Sequence, residues 1–126
     1  MDRTRETAGT VFRRDFVEMY KMTLLFRNPE DPEQFEDQWA QDFLPFAEQM
    51  PGLRRIAVCH VFGDPSGVSN YYKMHEFFFD DREALDRALT SEKGVQAGRS
   101  LMAIGGEITT IFFSEVFEEK RDPAPN

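Results

Sequence analysis

Two histidines, His60 and His75, stand in neighbouring apolar runs on either side of a turn-rich stretch. Both could titrate near neutrality. If Phe62 faces Tyr71 in a hairpin, His60 lies across from Lys73 and diagonal to His75 on one face, where the two rings could serve as acid and base. The plainer reading is two unrelated sheet histidines with ordinary hydrogen bonds, because the register is itself inferred. Tyr72 and Glu76 fall on the other side of the same strand with Met74 and Phe78, and could hold a polar substrate atom in a mostly apolar face. The plainer alternative, and the preferred one, pairs Glu76 with Arg54 or Arg55 of the neighbouring strand. Trp39 and Phe43 could wall a pocket, although aromatics at helical spacing are usually plain core.

Other chemistries lack their signatures. No third ligand joins the histidines at a metal-site spacing, and nothing aims the nearby carboxylates Asp42 and Glu76. Ser66, Ser69, Ser91 and Ser100 have no nucleophile context, and Cys59 has no base beside it. Lys93-Gly94 has too few glycines around it for a phosphate loop, and no nucleotide or flavin fingerprint is present. The expectation is a protein with no cofactor and no metal.

The elements that must position these residues follow from periodicity. Phe35, Trp39, Phe43, Phe46 and Met50 recur at steps of three and four, a single stripe of a helix that Asp31 or Pro32 opens and Pro51-Gly52 closes. Pro45 denies an amide to the Gln41 carbonyl, so a bend or tightening is expected there. Strands are predicted over 17–26, 53–62, 71–79 and 108–117, with the turn residues 63–67 making the second and third a hairpin. Asp80 or Asp81 caps a second helix, and Ser91 caps a further helical piece to about residue 103, stopped by Gly105-Gly106. The order is β-α-β-β-α-β, the α+β plan of ferredoxin-like domains. Residues 1–16 read as an N-terminal arm, 17–117 as the folded domain and 118–126 as a flexible tail.

Composition narrows the partners. The 126 residues suit one domain, 13 Phe supply ample apolar surface, and one cysteine cannot form an internal disulfide. The chain has no apolar secretory segment and no run near the roughly 18 residues of a membrane span, so a cytoplasmic protein off the membrane is expected. A net charge of −8 with scattered Lys and Arg argues against nucleic acid.

The strands add one inference. Two helices can cover only one face of a four-stranded sheet, yet the third and fourth strands do not alternate apolar with polar. Met74 and Phe78 oppose Phe77 and Phe79, and Ile108 and Phe112 oppose Ile111 and Phe113. Both faces want cover, and the long last strand would be a hazardous free edge. A homodimer packed through its sheets meets both demands.

Three segments, YKMTLLFRNP at 20–29, FLPFAEQMPGLRR at 43–55 and YYKMHEFFFDDREALDRALTSEKG at 71–94, resemble the EthD (ethyl tert-butyl ether degradation) family of the dimeric α/β-barrel group. The resemblance covers roughly 19–117. It implies a ferredoxin-like unit dimerised through its sheets as a dimeric α/β barrel, handling small hydrophobic molecules. It also implies degradative or secondary metabolism, xenobiotic degradation included, with relatives among cofactor-free monooxygenases, polyketide cyclases and lactone isomerases. Many members carry His-x-Pro in the first helix as the candidate reactive group. Here the triplet is Phe43-Leu44-Pro45, and a benzene ring cannot shuttle a proton. The resemblance therefore leaves two readings open. One is a cofactor-independent oxidoreductase or isomerase with His60 and His75 moving protons; the other is a non-catalytic binding or stress-response module.

Overall fold

In the computed structural model, residues 16–121 are described. Four strands, β1 (Phe16–Arg27), β2 (Arg55–His60), β3 (Tyr71–Phe79) and β4 (Thr109–Glu119), form one antiparallel sheet in the order β2-β3-β1-β4. One face is covered by a first helical region from Pro32 to Ala47 and by two further helices, α3 (Arg82–Thr90) and α4 (Glu92–Gly105). The connectivity is βαββαβ, the ferredoxin-like plan. The predicted arm, apart from Phe16 in β1, lies outside the described residues. β4 outruns its predicted end: Glu118 and Glu119 pair with Val17 and Phe16, so the strand takes in the first two residues assigned to the tail.

Register builds the core in rows across the sheet. Ile111, Leu24, His75 and Val58 form one row, and Phe113, Met22, Phe77 and Ile56 the next, all on the helix-covered side. Leu24, Phe26, Phe77 and Phe79 are wholly buried there. Burying each such side chain contributes about 1.5–3 kcal/mol.

The first helical region has three parts. Asp31 caps α1 (Pro32–Gln38), its carboxylate accepting the Gln34 N–H at 3.1 Å. Trp39–Phe43 then form a wide π-type turn, in which the Leu44 N–H reaches back to the Trp39 carbonyl, before the short α2 (Leu44–Ala47). The bend expected from Pro45 takes this form: a wider turn keeps the proline ring off the preceding carbonyls. Beyond it Ala47, not Phe46, takes the fully buried place. Phe46 is only partly buried and lies beneath Lys93, 5.6 Å from ring centre to Nζ. Gly52 closes the region at φ +80°, a left-handed turn that glycine permits.

Asp81 and Ser91 cap α3 and α4 through the Ala84 and Gly94 amides. A Cβ on Gly94 would stand 2.0 Å from the Ala88 carbonyl oxygen, so the tight α3–α4 junction requires glycine. Gly98, one turn on, faces open space.

Candidate functional site

Two features meet beneath the first helical region. The first is a buried polar cluster. Lys73 follows the inward alternation of β3 with His75, Phe77 and Phe79, so its ammonium ends up fully buried under Trp39, 3.4 Å from the ring centre. Glu36 of α1 answers it, Oε1 accepting from Nζ at 2.9 Å, while the Tyr72 hydroxyl donates to Oε2 at 2.5 Å. Burial works against the Glu36 charge, but the hydrogen bonds from Tyr72 and Lys73, with the positive charge nearby, hold its carboxyl below the usual range. Burial, then the Glu36 carboxylate, pushes the Tyr72 phenol up to about 12. Lys73 is lowered by burial, with Glu36 opposing.

His75 lies beside this cluster and is also fully buried. Its ring stacks on Phe77 at 4.2 Å and meets Trp39 at 5.2 Å and Phe43 at 5.9 Å. Burial first, and the Lys73 charge second, bring its pKa to about 3, so the imidazole is neutral. Neither ring nitrogen, nor the Trp39 Nε1, has a hydrogen-bond partner among the described residues.

The second feature is an apolar pocket of about 230 Å³ between the first helical region, α4 and the β1–β4 half of the sheet. Met22 and Leu24 with Ile111 and Phe113 make its floor, and Phe43, Met50, Gly98 and Leu101 stand around it.

The predicted site residues separate across these features. Phe43 lines the pocket. Trp39 does not wall it with Phe43, but packs on Lys73 and His75. The register sets His60 opposite Lys73, on the His75 face, yet His60 is exposed at the strand end while His75 is enclosed. Tyr72 and Glu76 do not act together. A bulge leaves Tyr72 without a partner on β1, between the pairs Phe26–Lys73 and Arg27–Tyr71, and its hydroxyl turns to the helix side. Glu76 stays on the open face, where it pairs with Lys21 of β1. The expected arginine partners are committed elsewhere, Arg54 to Asp80 and Arg55 to Glu118.

Glu36 and Lys73 escaped the sequence reading. The signal was present in the alternation itself, since a lysine in step with the inward positions 75, 77 and 79 demands a carboxylate within reach. Among the described residues no three His, Cys, Asp or Glu side chains gather to hold a metal ion.

The crystal structure of an ethyl tert-butyl ether degradation (EthD) family protein from Bacillus halodurans C-125 matches with a TM-score of 0.74 and 31% identity, over 76% of this chain and 96% of that one. The chain belongs to the EthD family. No family model matches it. Two more distant structures share the EthD protein's ferredoxin-like fold. A dimeric ferredoxin-like protein from Jannaschia sp. CCS1 matches at TM-score 0.57 and 20% identity, covering 79% of this chain and 99% of its own. SnoaB, a cofactor-independent oxygenase from Streptomyces nogalater, matches at TM-score 0.53 and 17% identity, covering 86% and 98%. No helix among the described residues is long and apolar enough to cross a membrane.

Proposed function

We propose that this EthD protein is a homodimer that binds a small hydrophobic molecule in the apolar pocket bounded by Phe43, Leu101 and the β1–β4 floor. The pocket is the observation that carries the reading. A dry cavity of about 150 Å³ lined by aliphatic and aromatic side chains takes benzene, so about 230 Å³ suits one ring with a short substituent. An enzymatic version, oxygenase- or isomerase-like and free of cofactor as SnoaB is by description, needs a substrate that itself donates electrons to oxygen, with the protein confining it. Phe43 at the family's histidine position favours the non-catalytic version, because the pocket wall there carries no proton-transfer group.

The dimer is supported by the sheet. Its open face carries exposed Phe112, while Phe78 there is already covered by Arg55 and Lys21, and β4 exposes Ile111, Phe113 and Phe117 on its other side. Single apolar residues at the surface are ordinary, but four along one edge strand mark an interaction surface.

Melting of the protein with a panel of aromatic and terpenoid compounds, run beside an oxygen-uptake assay, tests the reading. Stabilisation without uptake is expected for the binder and stabilisation with uptake for the oxygenase; no compound raising the melting temperature would overturn both.

A further inference from the structure

The apolar pocket has a hidden polar end. Its floor is the β4–β1 half of two rows, Ile111–Leu24 and Phe113–Met22, and the next residues along those rows on β3 are His75 and Phe77. Phe43 stands over that junction: it lines the pocket, and its ring meets both His75 at 5.9 Å and Phe77 at 6.2 Å, edge to face. Behind it are the unpartnered ring nitrogens of His75 and the unpartnered indole N–H of Trp39. Buried polar atoms are almost always satisfied, and leaving them unmet is costly.

Resting on the pocket reading above, we infer that Phe43 is a movable partition, and that the pocket's ligand is an aromatic or alicyclic molecule with one hydroxyl group held between Trp39 and His75. The hydroxyl oxygen accepts from the Trp39 Nε1–H and donates to the unprotonated nitrogen of His75. A neutral imidazole is required; burial among Trp39, Phe43 and Phe77 keeps it so, and the Lys73 ammonium on the same strand adds to the effect by opposing a second positive charge. An apolar body would fill the pocket while the hydroxyl takes up groups that an alkyl chain leaves unmet. The partition sits on the π-type turn of the first helical region, an irregularity of a kind frequent at functional sites.

The test compares 4-propylphenol with propylbenzene by titration calorimetry on the full chain. Wild-type protein is expected to bind the phenol about tenfold more tightly, as two satisfied buried hydrogen bonds warrant. Trp39, the single tryptophan, should change its emission with the phenol and much less with the hydrocarbon. His75→Phe and Trp39→Phe should each reduce the preference while leaving propylbenzene affinity within about twofold. Trp39 is only partly buried, so its variant keeps the test sound should the His75 variant fail to fold. Equal affinity for the two probes, or an undiminished preference in both variants, overturns the polar end and leaves the pocket standing. Binding of neither probe overturns the pocket reading, and this inference with it.

Discussion

Glu36 and Lys73 form an ion pair with unequal burial: the lysine is fully enclosed, whereas the carboxylate keeps 35% of its side chain in solvent. The pair therefore belongs more to the fold than to the surface. Replacing Glu36 by Gln removes the carboxylate that compensates a buried ammonium. A loss of about 2 kcal/mol in urea denaturation is expected, below the roughly 3–5 kcal/mol of a fully buried pair because Glu36 is partly screened. The double variant Glu36→Gln/Lys73→Met should lose less than the sum of the two single changes. Strict additivity would contradict the pairing.

Acid should destabilise the protein through His75. In the unfolded chain this ring takes a proton below about 6.5, but in the folded protein it resists until about 3. Between those values the unfolded state binds more protons, so stability falls with pH by about 1.4 kcal/mol per unit. Glu36, whose folded carboxyl lies below its ordinary 4.5, adds loss in the same direction at lower pH. Urea midpoints of the wild type and His75→Phe from pH 7 to 4.5 check this. The variant should be flatter over that range, and parallel curves would refute the assignment.

Phe43→Ala should cost about 3–5 kcal/mol, the usual toll for deleting a buried aromatic ring. It should also join the pocket to His75 and admit larger hydrocarbons. Calorimetry with a graded series of alkylbenzenes would show the preferred chain lengthening. An unchanged size preference would mean that Phe43 bounds nothing.

The dimer is most exposed to test at Phe112, which points from β4 onto the open face at 40% exposure. Light scattering is expected to give about twice 14.7 kDa for the wild type and 14.7 kDa for Phe112→Glu. A buried carboxylate without a partner opposes such an interface. A monomeric wild type would contradict the sheet-paired dimer.

The order of elements along the chain, the cap at Ser91, those at Asp31 and Asp81 to within one residue, and the hairpin register of His60 with Lys73 once Phe62 is set opposite Tyr71, were legible in the sequence, because local spacing and turn chemistry decide them. What escaped depends on longer-range geometry. The bulge at Tyr72 turns one hydroxyl to the opposite side of the sheet, and period-two counting has no means of registering an extra residue. Lys21 reached Glu76 from β1, the second neighbour of β3, which topology supplies and the hairpin alone does not, while Arg54 and Arg55 pair with Asp80 and Glu118. The pocket was illegible for a related reason: it arises where α4 presents Gly94, Ala97 and Gly98 and leaves the β4 side of the sheet thinly covered.

Gly98 offers the most direct test of the pocket. No atom lies within 4 Å of the place its Cβ would take, and it lines the pocket from within a helix. Leucine there should fill the space without a clash, and helix propensity favours it over glycine by about 0.5–1 kcal/mol. Propylbenzene titrated into wild-type and Gly98→Leu protein, with melting curves for each, decides the matter. The variant is expected to fold at least as stably and to lose the hydrocarbon; a folded variant that binds propylbenzene as the wild type does would contradict a ligand site in this pocket.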